Sequence, residues 1–76
     1  MPHVEIKCFP GRTDAQKKQC AEKIAEVIAD VFGCKLSSVS VVIKDIPESE
    51  WKEKVWDVDI KPNEKYMYKK PGYTCD

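Results

Sequence analysis

Residues 3–20, HVEIKCFPGRTDAQKKQC, change period halfway, and that change decides the fold. Val4, Ile6 and Cys8 alternate with His3, Glu5 and Lys7, the period of two expected of a strand with one covered face. Pro10 and Gly11 end the alternation, which predicts a strand over 3–9. Thr13 and Gln16 then stand at the spacing of a capping box, the start signal of a helix. Cys20, Ala21, Ile24, Ala25, Ile28, Val31 and Phe32 follow at helical intervals as the inward face, leaving Lys17, Lys18, Glu22, Lys23, Glu26 and Asp30 to solvent. Gly33 stands where a left-handed residue closes the helix.

Working outward, SVSVVIK (38–44) returns to the period of two, with Val39, Val41 and Ile43 on one face and Ser40, Val42 and Lys44 on the other. Strand, helix and strand predict an α+β chain built on a βαβ unit with parallel strands and a right-handed crossover. Two strands leave both edges open and one face uncovered, so the unit is expected to complete a larger sheet by oligomerisation. Beyond Pro47, ESEWKEKVWDVDI (48–60) predicts a short helix carrying Trp51, Val55 and Trp56, and 61–76 reads as irregular or briefly helical. The chain is read as one domain over 1–76, with a βαβ core at 1–46 and a helix and tail at 47–76.

A chain of 76 residues buries only about 60% of the surface it exposes when unfolded, so its own core is marginal. Disulfides, a metal or association are the usual remedies. Cys8, Cys20, Cys34 and Cys75 contain no CxxC pair and His3 is the single histidine, which excludes a zinc pattern. MPHVEIK has no apolar stretch of a secretory signal, so the cysteines are read as reduced, buried thiols of a cytoplasmic protein. Association is the remedy left. Thirteen basic and thirteen acidic side chains are interspersed without a basic stripe, which argues against nucleic acid as a partner. No apolar run approaches membrane-spanning length, so no membrane partner is expected.

The inventory of chemistry is thin: no histidine-centred triad, no carboxylate cluster, no phosphate-binding glycine loop and no metal constellation. Elimination leaves Pro2, whose nitrogen becomes a secondary amine once Met1 is trimmed. With Met1 in place that nitrogen is an amide without useful basicity. An α-amino group titrates near pH 7.7–8.0 and a proline amine is more basic, so a general base at neutral pH needs its ammonium form disfavoured. An apolar wall or a nearby cation does this, and Arg12, Trp51, Lys69 and Lys70 are the residues able to supply them. A cation also stabilises the enolate charge that builds up when a proton leaves carbon beside a carbonyl.

Pro2, the strand HVEIKCF, the helix opening GRTDAQKK, the strand SSVSVVIKDI and Trp51 together resemble the 4-oxalocrotonate tautomerase family over about the first 55 residues. The KKPGYT ending (69–74) is similar to that of a longer branch of small tautomerases whose members tend to be dimers. The resemblance implies a cofactor-independent keto–enol tautomerase with Pro2 as general base, Arg12 binding a substrate carboxylate and Trp51 lining an apolar wall. Ser40 stands where the archetype has a second arginine, which shifts the expected substrate from a dicarboxylate to a monoacid such as a phenylpyruvate-like enol, with Lys69 or Lys70 replacing the missing charge. A homodimer is preferred over a hexamer. Strand 3–9 holds Pro2 and Arg12 about 20 Å apart, so the two are expected to meet only between chains. Two other readings stay open: a binding module that holds a partner through Trp51, Trp56, Tyr66, Tyr68 and Tyr73, and a related hydratase, dehalogenase or decarboxylase.

Overall fold

The computed structural model describes residues 1–75, which fall into two compact units meeting in sequence at Asp45 and Ile46. The first contains β1 (His3–Cys8), α1 (Asp14–Phe32) and β2 (Ser40–Asp45). β1 and β2 pair in parallel, with His3 opposite Ser40, Glu5 opposite Val42, Ile6 opposite Ile43 and Cys8 opposite Asp45. The strands and the helix therefore form the βαβ unit that the period change predicts.

Both ends of α1 are built by side chains and backbone that the sequence marks. The Gln16 N–H donates to Thr13 Oγ1 at 3.1 Å, and the Thr13 N–H donates to Gln16 Oε1 at 2.9 Å, so the capping box is closed in both directions. At the far end Gly33 takes a φ of 70°, and its N–H returns to the Ala29 carbonyl. Replacing Thr13 by alanine leaves the Gln16 N–H without its acceptor, and is expected to lower stability by about 1 kcal/mol, read from the midpoint of chemical denaturation.

The strands are shifted from their expected bounds. β1 ends at Cys8 because the Phe9 carbonyl accepts the Arg12 guanidinium at 3.2 Å and Pro10 has no N–H to offer a ladder. β2 begins at Ser40 because Leu36–Ser38 winds into a 3₁₀ turn, which uses the Ser38 and Val39 N–H groups on Lys35 and Leu36. Three helix positions expected to face inward also do not. Cys20 is exposed, and Val31 and Phe32 are 70% and 72% exposed, because the two-stranded sheet is too narrow to reach that side of α1. The expectation that all four thiols are buried fails at Cys20; Cys8, Cys34 and Cys75 are half-buried, and all four are unpaired.

The two sheet faces differ sharply. On one, Ala21 and Ala25 of α1 share a groove with Val39 and Val41. The Lys17 ammonium reaches Asp45 from above this face at 2.9 Å, and that hydrogen bond raises the Lys17 pKa above its ordinary 10.5. The pair thus supports the fold below pH 10.5 and loses its contribution as pH climbs through the raised value. The other face is turned away from α1, and Glu5 there is held by Lys7 and Lys44, each at 3.5 Å. No residue of β1, α1 or β2 is fully buried in the single chain.

The second unit runs through a 3₁₀ turn at Glu48–Glu50, a π-helix at Lys52–Ile60 and a 3₁₀ helix at Lys61–Tyr66. The expected short helix is present, but wound i→i+5. Its apolar residues explain why: Trp51, Val55, Trp56 and Ile60 are spaced by four, one and four positions. At about 100° per residue an α-helix would spread these four across about half its circumference. The wider winding gathers them on one side. The Lys52–Asp57 ion pair, five residues apart at 3.1 Å, fits the same geometry. Pro62, lacking an N–H, cannot continue the i→i+5 ladder, and the chain tightens there. Val55 and Trp56, 4% and 8% exposed, form the core. Among the described residues no helix is long and apolar enough to cross a membrane.

Candidate active site

Pro2 is half-buried at the head of β1, and its carbonyl accepts the Ser40 N–H at 3.2 Å. That bond extends the parallel ladder by one step and fixes the direction from which the Pro2 nitrogen leaves the sheet. Met1, by contrast, stands fully in solvent. Ser40 is therefore tied to Pro2 through backbone, and its side chain adds a second link. Ser40 Oγ is hydrogen-bonded to His3 Nδ1 on the sheet face turned away from α1.

The His3–Ser40 bond has two chemical forms. When Nδ1 is unprotonated it accepts the serine hydroxyl, and that proton is committed. When Nδ1 carries a proton it donates, and the serine hydroxyl is left to serve another acceptor. The charged groups that share the face are Glu5, Lys7 and Lys44, already paired with one another.

Arg12 lies at the opposite end of β1 from Pro2. Six strand residues separate the two ends by about 20 Å, so one chain does not bring the guanidinium to the proline. Arg12 is exposed in the turn before α1, where Gly11 takes a φ of 128° that a side chain would strain. The guanidinium keeps donors beyond the one it gives Phe9.

The remaining candidates belong to the second unit. Trp51 is half-buried, and its Nε1–H donates to the Tyr73 hydroxyl at 3.1 Å. Tyr73 also packs on Trp56, ring centres 5.6 Å apart and tilted by 43°. Lys70 lies 3.6 Å from Glu64, both exposed, and Lys69 is exposed. Two contacts escaped the sequence reading. His3 looks like an ordinary exposed strand residue until the register sets it opposite Ser40, and Trp56 looks like a generic core anchor until Tyr73 is placed on it. The alternation of both strands contained the first clue, but a register cannot be read from alternation alone. Among the described residues, no three of His, Cys, Asp or Glu are grouped to hold a metal ion.

Comparison with known proteins matches residues 2–52 to the tautomerase family, described as tautomerase enzymes. Tautomerase PptA of Enterobacter sp. (strain 638) is 49% identical over 75 residues, which cover 97% of this chain and 99% of that protein. Tautomerase PptA of Escherichia coli (strain K12) is 40% identical over 77 residues, covering the whole of this chain and 99% of that one. Among solved structures, a 4-oxalocrotonate tautomerase isozyme study from Methylibium petroleiphilum supplies a chain 32% identical with a TM-score of 0.62, over 66% of this chain and 81% of that one. An apo unfused 4-oxalocrotonate tautomerase is 37% identical with a TM-score of 0.62, over 64% and 80%. A parallel βαβ unit led by Pro2, with relatives of this identity along nearly its full length, places the chain in the 4-oxalocrotonate tautomerase family, as an enzyme of the isomerase class.

Proposed function

We propose that the chain, once Met1 is removed, is a keto–enol tautomerase acting on an α-keto acid and its enol, with the secondary amine of Pro2 as general base. The observation that carries this reading is the setting of Pro2: half-buried, held by Ser40 at the strand head, and preceded by a fully exposed Met1 open to trimming. The family match beginning at residue 2 is consistent with it. The amine takes a proton from carbon beside the carbonyl and returns it to the neighbouring position, while positive charge nearby stabilises the intermediate enolate.

Arg12 is the proposed anchor for the substrate carboxylate, reaching the Pro2 of a neighbouring chain. Trp51 is the proposed apolar wall, and Lys69 or Lys70 the second positive charge. Ser40 offers a neutral hydroxyl close to the base, which suits a ketone or enol oxygen better than a second carboxylate. A hydratase or dehalogenase would want a carboxylate working with the proline. Glu5, three residues along, is instead held by Lys7 and Lys44. This favours proton transfer alone.

The site so described needs at least two copies. Among the described residues, neither edge of the two-stranded sheet has a further strand partner. The face turned away from α1, by contrast, carries its own ion pairs, so a second copy gains more by extending the sheet edge than by stacking on that face. We therefore favour a homodimer over a hexamer. The unpaired thiols favour a reducing, cytoplasmic setting.

The test is conversion of phenylpyruvate enol to its keto form by the processed chain and by Pro2→Ala. Activity that falls steeply in the variant supports the assignment, and activity indifferent to Pro2 removes it. A Ser40→Ala variant is expected to lower kcat/KM by about tenfold, the scale of one neutral hydrogen bond.

A further inference from the structure

His3 follows Pro2 directly in sequence and stands opposite Ser40 in the parallel register. Its Nδ1 lies 2.5 Å from Ser40 Oγ, a short contact between a ring nitrogen and a hydroxyl. Ser40 in turn gives its N–H to the Pro2 carbonyl at 3.2 Å. Pro2, His3 and Ser40 are therefore joined in a closed loop by a peptide bond, a side-chain bond and a ladder bond.

An exposed serine hydroxyl ordinarily turns among three staggered positions. Bonded to His3, the Ser40 hydroxyl is held in one of them. The hydroxyl has one proton and two acceptor positions, so the bond to His3 does not exhaust it. Where the proton goes to Nδ1, Oγ still accepts, as an enol O–H requires. Where Nδ1 donates, the hydroxyl still donates, as a ketone oxygen requires. A neutral hydroxyl fixed in this way suits both forms of an oxygen that alternates between enol and ketone, whereas an arginine at the same place could only donate. Glu5, Lys7 and Lys44, which share the face, are engaged with one another.

We propose that His3 is a positioning residue for the keto or enol oxygen of the substrate, holding the Ser40 hydroxyl in the rotamer that meets it. That oxygen sits on the carbon next to the one that exchanges its proton with Pro2, and Ser40 is the hydroxyl tied to Pro2 by the ladder. The inference rests on the reading of Pro2 as the base and adds to it what selects the substrate's oxygen.

The test compares two inhibitors of enol-to-keto conversion that differ at that oxygen. 2-Hydroxy-3-phenylpropanoate carries an oxygen on the carbon beside its carboxylate, 3-phenylpropanoate does not, and neither has a ketone to tautomerise. The hydroxy acid is expected to inhibit the processed chain more strongly. His3→Leu is expected to weaken its inhibition about threefold, the weight of one staggered position among three, and to leave 3-phenylpropanoate unchanged. His3→Asn, whose amide offers both an acceptor and a donor, is expected to restore most of the difference. In a Ser40→Ala background His3→Leu is expected to add nothing, because the hydroxyl it orients is gone. A tie that only steadies the strand heads would weaken both inhibitors alike, and that result overturns the proposal. Equal inhibition by the two acids in the parent chain also overturns it, as does a hydroxy acid indifferent to His3→Leu or a full His3→Leu effect without the Ser40 hydroxyl. Conversion that depends on Pro2 while inhibition ignores His3 removes this inference alone, whereas conversion that ignores Pro2 removes both.

Discussion

A form of the protein whose Pro2 nitrogen is held in an amide, as when an uncleaved tag or Met1 precedes it, is expected to lose about 10²–10⁴-fold in kcat/KM for enol-to-keto conversion. That range is the usual contribution of a positioned general base. The loss arises at one atom, because an amide nitrogen has no available lone pair while every side chain of the site is unchanged. Pro2→Ala is expected to lose less, because it keeps a terminal amine but exchanges the ring-held secondary amine for a freely rotating primary one. The Ser40 N–H bond to the residue-2 carbonyl is available in both forms, so circular dichroism and melting should stay close to the parent. The ordering, amide-capped below alanine below proline, separates loss of the base from loss of its positioning. Equal activity in the capped and processed forms would remove the amine from the mechanism.

The largest expected effect on stability is at Trp56. It and Val55 are the two buried hydrophobic residues among those described, and Trp56 carries the tilted ring contact with Tyr73. Trp56→Ala removes most of that core and is expected to cost about 3–5 kcal/mol. In a domain whose whole stability is of order 5–15 kcal/mol, that loss leaves the second unit near its unfolding limit. Trp56→Phe keeps an aromatic ring and deletes the unpartnered N–H, so it is expected to cost under about 1.5 kcal/mol. Urea denaturation followed by circular dichroism reads both. If the two variants unfold alike, packing at Trp56 is not what holds this unit together.

The first unit was legible in sequence because each of its signals is local. The capping box is a spacing of three, the helix stop is one glycine, and the strands are written as alternation. The misread positions share a cause in tertiary context. Ser38 alternates correctly with its neighbours, yet its N–H is taken by a 3₁₀ turn. Val31 and Phe32 keep helical spacing, but a two-stranded sheet is too narrow to cover them. The π-winding of Lys52–Ile60 was hidden for a related reason: intervals of four and one suit a short α-helix, and only the addition of Ile60 shows that the stripe needs a wider turn. The proposed base, Pro2, was named from the sequence alone. The His3–Ser40 link required the register, and the proposed meeting of Arg12 with a neighbouring chain's Pro2 is a relation that one chain's pattern does not encode.

The most direct measurement is intact mass of the untagged, purified protein, taken on the same sample as its rate of phenylpyruvate enol-to-keto conversion. The account predicts a mass lacking methionine, with activity that scales with the processed fraction when processed and unprocessed forms are mixed. A fully active protein that retains Met1 would contradict it, because the nitrogen proposed to move the proton would then be an amide.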